Sequence, residues 1–100
     1  MQPGTKVDAR RSPRIRLELD VNIYSKKSGL IPGRTLDISE SGISVVLPVE
    51  LPVGEVVKLE IMSRIEPVTV AAVVRNRNVF RYGLEFEQSG TGRELIKRFP

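Results

Sequence analysis

The chain has 100 residues, with 16 Lys and Arg against 12 Asp and Glu, and it contains neither His nor Cys. This length suits one domain with one hydrophobic core. The lack of Cys excludes disulfides, thiolate nucleophiles and Cys-ligated metal sites. The lack of His removes the commonest general base and transition-metal ligand. The composition therefore favours a binding protein over an enzyme, and we expect no catalytic residue, no metal and no cofactor.

The excess positive charge lies at the N-terminus. Residues 1–16 hold five basic side chains and one acidic one, whereas residues 17–100 hold eleven of each. A basic arm ahead of a neutral body indicates an anionic partner, such as nucleic acid, a nucleotide or an acidic membrane. No apolar stretch has the length of a signal peptide or a membrane span, so we expect a cytoplasmic protein without a membrane partner.

The first elements follow from apolar alternation along the chain. Residues 1–9 show no periodic pattern, which predicts a flexible N-terminal arm. The range 15–23 alternates apolar and polar residues over nine positions and is predicted to be a half-buried strand, followed by a turn over 26–29. Pro32-Gly33 interrupts the next segment, so a strand there is expected to be irregular or to begin near Arg34.

The middle of the chain is predicted to hold three more strands. Gly42–Leu47 places alternate apolar residues on one face, and the Pro- and Gly-containing range Pro48–Gly54 is predicted to be a loop. A further strand is expected over 57–62. The range Val68–Val74 is almost continuously apolar, which predicts a strand covered on both faces.

The C-terminal third is predicted to contain a hairpin and a helix. Asn76–Asn78 is predicted to be a turn because Asn tolerates positive φ, and the strand over 81–87 should place Tyr82 and Phe86 in the core. The period then changes: Thr91 and Glu94 match a capping box, and one helical face carries Leu95, Ile96 and Phe99. About six short strands indicate an antiparallel barrel or sandwich, with the short helix covering an open end.

Two polar clusters interrupt this β pattern. The first precedes the strand 15–23 and consists of Arg10, Arg11 and Arg14. The second lies between two strands and consists of Asp37, Ser39 and Gly42. Alone, the first cluster is more typical of a solvated charge run, and the second of a turn whose side chains cap backbone amides.

Together the clusters form R-x-x-x-R followed by D-x-S-x-x-G, and the chain resembles the PilZ domain, a bacterial receptor module for cyclic di-GMP. The segment Arg81–Phe86 with the helix after it is similar to the end of such a domain, so the resemblance covers residues 8–99. It implies an all-β fold, a six- to seven-stranded antiparallel split barrel with a short C-terminal helix. After the flexible arm over 1–9, the resemblance implies a single domain over 10–99, which includes the ligand-binding arm 10–14.

The resemblance implies a cyclic di-GMP site made of Arg10, Arg11, Arg14, Asp37, Ser39 and Gly42. Arginine forms bidentate hydrogen bonds with phosphate oxygens and with the O6/N7 edge of guanine, and its guanidinium plane stacks on purines. A carboxylate such as Asp37 accepts hydrogen bonds from the N1–H and N2–H₂ donors of guanine, which adenine lacks. Ser39 adds a hydrogen bond, and Gly42 lets the ligand lie against the backbone. We expect Arg16 and Arg34 to form salt bridges or to be solvated.

The function implied by the resemblance is a non-catalytic receptor that relays cyclic di-GMP to an unidentified downstream protein by ordering its arm, with motility and biofilm formation as family-level outputs. Two alternatives stay open. A barrel binding single-stranded nucleic acid is disfavoured by the five aromatic residues and the neutral body. A PilZ-type adaptor that binds only protein typically lacks the arginines. The chain is expected to be a monomer or homodimer and, since it starts with Met1, a complete small protein. Ala9 leaves open whether one ligand or an intercalated pair binds.

Overall fold

The computed structural model describes residues 13–99, so the predicted arm over 1–9 lies outside the described residues. The strands are β1 (Ile15–Arg16), β2 (Asp20–Ser25), β3 (Gly29–Ile38), β4 (Gly42–Val46), β5 (Val56–Met62), β6 (Pro67–Asn78) and β7 (Arg81–Phe86), and the helix α1 (Thr91–Arg98) follows. Six strands close into an antiparallel barrel in the order β3-β2-β5-β6-β7-β4, because β4 pairs back with β3, while β1 lies outside it along β3. The predicted all-β barrel with a short C-terminal helix is confirmed.

Alternating apolar side chains fill the barrel. Ile43 and Val45 of β4, and Leu47 after it, are at most 1% exposed. Tyr82 and Phe86 of β7 are also buried, as predicted. Each large apolar side chain buried in this way stabilises the fold by about 1.5–3 kcal/mol. The polar residues between them face outwards. The buried side chains therefore stabilise the barrel, and a binding site on the barrel is formed by side chains of its outer surface.

The strand predicted over 15–23 is divided by a bulge into β1 and β2. Both segments pair with β3, but the stretch between them holds one residue more than the β3 stretch opposite. The buried hydroxyl of Thr35 donates to the carbonyl of Leu17 and accepts a bond of 2.9 Å from the amide of Leu19. This hydroxyl satisfies backbone groups that the bulge removes from the ladder. The alternation of side chains survives the bulge, so the sequence pattern does not reveal it.

The second strand was predicted to be irregular or to begin near Arg34. A start near Arg34 is wrong, but β3 is irregular, with a register shift in its pairing with β4 between Thr35 and Asp37 rather than at Pro32. β3 begins at Gly29 and runs through Pro32. The amide of Thr35 donates to the carbonyl of Leu19 on the β2 side of β3. Because the backbone groups of successive residues in a strand point to opposite neighbours, the nitrogen of Pro32, which carries no hydrogen, faces the β4 side of β3. There β4 pairs with β3 only from Arg34 onwards. The proline therefore costs β3 no ladder hydrogen bond.

β6 differs from its prediction in both burial and length. Ala72 and Val74 are buried, whereas Thr69 on the other face is exposed, so the strand is covered on one face and the expectation of two covered faces is wrong. β6 continues to Asn78, and the turn falls at Val79-Phe80 rather than over 76–78. Pairing with β7 overrides the turn preference of the asparagines.

The helix α1 forms where a helix was predicted but starts differently. Its N-cap is Gly90, with φ 88°, and no side-chain hydrogen bond caps it, so the capping box of Thr91 and Glu94 is wrong. The apolar face is as predicted, with Leu95 buried and Ile96 and Phe99 packed against the core. Between residues 13 and 99, no helix has both the length and the apolar character needed to cross a membrane.

Candidate functional site

Four polar or small residues form a row across the outside of the barrel. Asp37 of β3 pairs with Ser44 of β4, Ser44 pairs with Gly83 of β7, and Gly83 pairs with Asn76 of β6. Successive residues of a strand point to opposite faces, and the neighbours of this row on β4 and β7 are core residues. The row therefore faces solvent. We call it the polar row.

Arg14 lies across one end of the polar row. Its Nε donates to Asp37 Oδ1 at 2.9 Å, and its Nη2 donates to Ser44 Oγ at 2.9 Å. The arginine side chain is 51% exposed, so solvent screening limits this ion pair to about 0–1 kcal/mol of stability. Its main effect is positional, because two of five N–H donors hold the guanidinium plane on the barrel wall. The other predicted arginines, Arg10 and Arg11, lie outside the described residues.

A small pocket of about 210 Å³ lies beside the polar row, between Arg14 and Arg75. Arg75 Nε donates to Glu85 Oε1 at 2.5 Å, so each guanidinium is anchored through its Nε by a carboxylate. The side chain of Asn76 covers Gly83 so closely that a Cβ there would lie within 3.0 Å of the amide atoms. The pocket thus brings together two carboxylate-paired arginines, an amide and the small residues Ser41 and Gly42.

Only one member of the polar row, Asp37, was identified from the sequence. Ser44, Arg75, Asn76 and Gly83 were not singled out as site residues. They come from three strands, and only the register of β4, β7 and β6 places them beside Asp37. A bulge between Val74 and Asn76 breaks the alternation on β6, so the outward direction of Asn76 has no signal in the local pattern.

The turn that follows Asp37 is held internally. Ser39 is 2% exposed; its amide donates to the carbonyl of Gly42 at 2.8 Å, and its hydroxyl lies 3.4 Å from the same oxygen. Gly42 packs against β7, where an added Cβ would lie within 3.0 Å of the carbonyl oxygen of Leu84. The structure therefore gives Ser39 and Gly42 a backbone role, namely shaping the turn that presents Asp37.

The helix α1 supports this turn from behind. A Cβ at Gly92 would lie within 3.0 Å of the carbonyl oxygens of Ser39 and Glu40. Arg93 Nε also pairs with Glu40 Oε2 at 3.5 Å. Buried Leu95 anchors the helix to the barrel. The C-terminal helix therefore packs against the turn that follows Asp37 and belongs structurally to the candidate site.

The two other arginines near the first strands take structural positions, as expected. Arg16 pairs with Glu18 at 3.0 Å, and Arg34 pairs with Asp20 at 2.9 Å. Among residues 13–99, no group of three or more acidic side chains is arranged to hold a metal ion.

The sequence matches the PilZ domain family over residues 8–99. The PilZ domain of CeSA from a cellulose-synthesizing bacterium is 20% identical, with a TM-score of 0.69 over 88% of this chain and 95% of that one. The PilZ domain of YcgR from Escherichia coli, solved with c-di-GMP, is 20% identical, with a TM-score of 0.72 over 91% and 88%. The Bacillus subtilis inhibitor of motility MotI/DgrA is 24% identical, with a TM-score of 0.66; the match covers 92% of this chain and 49% of MotI. No curated protein sequence matches significantly.

Proposed function

The chain belongs to the PilZ domain family, and from this premise we propose that it is a non-catalytic cytoplasmic receptor for cyclic di-GMP that acts through a partner protein. The observation that carries the proposal is the Arg14 guanidinium held on the barrel wall by Asp37 and Ser44, at 2.9 Å from each. A preorganised guanidinium beside a carboxylate suits a ligand that carries both phosphates and guanines. The YcgR domain, which shares this fold, was solved with that nucleotide.

The chemistry of the polar row supports this choice of ligand. Arg14 donates one hydrogen bond to Oδ1 of Asp37, so Oδ2 and the second lone pair of Oδ1 remain to accept from the N1–H and N2–H₂ donors of guanine. The unused N–H groups of Arg14 bind phosphate or the O6/N7 edge of a base. Ser44 and Asn76 add neutral donors and acceptors along the row.

The remaining motif residues act around this row. Arg10 and Arg11, on the arm, close over the bound nucleotide, and ordering of the arm creates the surface that a partner recognises. Ser39 and Gly42 contribute by keeping Asp37 at the start of its turn, as the buried Ser39 amide bond of 2.8 Å to Gly42 favours. Binding and release alone account for this function, so no residue is assigned a catalytic role.

Calorimetric titration of the full chain tests the proposal. We expect cyclic di-GMP to bind with a dissociation constant of about 10 µM or tighter, roughly −7 kcal/mol or better. Cyclic di-AMP has the same two phosphates but lacks the guanine donors, so it should bind at least about tenfold more weakly. A lack of binding at about 100 µM cyclic di-GMP, or equal affinity for the two nucleotides, would contradict the proposal.

Matched variants locate the site. Arg14→Ala removes a charged hydrogen-bond donor and should weaken binding by about 10- to 100-fold. Arg64→Ala removes the same charge in the loop between β5 and β6, away from the polar row, and should leave affinity unchanged. Both variants should keep a thermal midpoint close to that of the wild type, since both side chains are exposed. Single-stranded RNA binding that survives an excess of cyclic di-GMP would instead favour the nucleic-acid alternative.

A further inference from the structure

A second concave surface lies on the opposite side of the barrel from the polar row. In the closed strand order, β5 is three strands away from β4 in both directions. A groove of about 800 Å³ opens between β2, β5 and β6 and the chain segments that precede β3 and β5. We call it the β5 groove. The nucleotide proposal makes no use of it.

The shape of the β5 groove follows from one small residue between larger ones. Tyr24, Lys58 and Ala71 are direct cross-strand neighbours on β2, β5 and β6. The methyl group of Ala71 leaves a depression beside the longer side chains. Val56, two residues from Lys58 on β5, is 49% exposed, and Tyr24 is 41% exposed. A cluster of exposed apolar side chains around a depression is typical of an interaction site.

The charges around the β5 groove are unlike those at the polar row. Lys26, Lys27 and Lys58 line it, and none of these ammonium groups has a carboxylate partner within residues 13–99. Of its two acidic lining residues, Glu55 accepts a 2.6 Å hydrogen bond from a serine of β2, and Glu87 lies after β7. Glu55 and Glu87 likewise have no basic partner within residues 13–99, and the buried Oε1 of Glu55 has no hydrogen-bond partner. At the polar row, by contrast, each arginine already holds a carboxylate. The groove therefore combines an apolar floor with three unpaired ammonium groups against two carboxylates, a net excess of one positive charge.

We propose that the β5 groove docks a partner protein through a short acidic segment. An apolar side chain of that segment lies over Ala71, and flanking carboxylates pair with Lys26, Lys27 and Lys58. Charge complementarity selects an acidic segment rather than a basic one, and the apolar floor selects one that carries a hydrophobic anchor. The assignment adds to the partner-binding half of the proposed function a second contact, separate from the nucleotide-ordered arm, and this contact does not require nucleotide binding.

Selection of a random short-peptide display library against the full chain tests this assignment. The expected consensus is an apolar residue flanked by Asp or Glu. A synthetic fluorescent peptide of that consensus should bind in an anisotropy titration, more weakly at high salt, and saturating cyclic di-GMP should not displace it from the opposite side of the barrel. If the chain binds no cyclic di-GMP at all, the proposed nucleotide function fails. The docking proposal is tested separately, because the peptide titration needs no nucleotide.

Matched variants decide where the peptide binds. Lys58→Glu should weaken it at least about tenfold, and Ala71→Phe, which fills the depression, should abolish it. Lys97→Glu makes the same charge change on the exposed side of α1 and should have no effect. Should Ala71→Phe not fold, Val56→Asp at the exposed rim serves instead. A selection without this consensus, binding indifferent to these variants, or displacement by cyclic di-GMP would overturn the proposal. The proposal would also be overturned if analytical sedimentation showed that the chain self-associates and that Ala71→Phe abolishes this self-association, because a second copy of the chain would then cover the groove.

Discussion

Replacing Gly92 with alanine tests whether α1 supports the turn that presents Asp37. The new Cβ would lie within 3.0 Å of the carbonyl oxygens of Ser39 and Glu40, whereas carbon–oxygen contacts ordinarily lie at about 3.3–3.6 Å. Both oxygens belong to the backbone, so no change of rotamer relieves the overlap. The turn or the helix must move.

The size of the effect follows from two opposing terms. Overpacking of a close contact costs about 1–3 kcal/mol, and undocking the helix would instead expose Leu95, which costs about 1.5–3 kcal/mol. Against this, alanine is a better helix former than glycine by about 0.8–1 kcal/mol. We expect the overlap to dominate, with a net loss of about 1–2 kcal/mol. For a domain of this size the thermal midpoint should fall by roughly 4–15 °C.

Thermal and urea unfolding of Gly92→Ala measure this loss, and calorimetry with cyclic di-GMP measures the expected weakening of binding as Asp37 shifts. Thr91→Ala is the matched control on the same helical turn. Thr91 makes no capping hydrogen bond, so its loss should change stability by less than about 0.5 kcal/mol. A Gly92→Ala protein as stable as wild type, or more stable, would show that helix propensity outweighs the contact and would refute this account of the turn.

Three further predictions concern other parts of the barrel. The buried hydroxyl of Tyr82 accepts a 2.9 Å bond from the amide of Leu51, so Tyr82→Phe should leave that amide unpaired and lower the urea-unfolding free energy by about 1–3 kcal/mol; an unchanged midpoint would contradict this. Tyr24 donates a hydrogen bond to Glu60, and this bond raises the pKa of the Tyr24 phenol. The contribution of the bond to stability is therefore complete below the ordinary pKa of tyrosine, and it is lost as the pH rises through the raised pKa of the folded protein. Glu60→Gln should therefore move the phenol absorbance titration to lower pH, and an unmoved curve would exclude the coupling. Val79 has φ 60° in the two-residue loop after β6, a conformation that strains a β-branched residue, so Val79→Gly should raise stability by about 1 kcal/mol, and a lower thermal midpoint would argue against the strain.

Much of the barrel could be predicted because alternation and burial are local properties. The pattern around Ile43 and Val45 requires only that one face of a strand be covered, and the same holds for β5 and β7. The family resemblance also implied that the arginine arm and Asp37 belong to one site, and the structure brings Arg14 and Asp37 into contact. The positions where prediction failed are those where a partner strand decides. Asn76 resembles a turn residue in the sequence, but pairing with β7 extends β6 past it to Asn78.

By itself, the sequence determined the all-β class, the separation of charge and the two motifs on which the resemblance to the PilZ family rests. Only the tertiary structure decided that Ser44, Gly83 and Asn76 continue the row from Asp37, that α1 holds the turn through Gly92, and that the β5 groove lies on the opposite wall. The reason is physical: local periodicity sets which side chains face the core, whereas the register of strands in a closed barrel sets which outward side chains become neighbours.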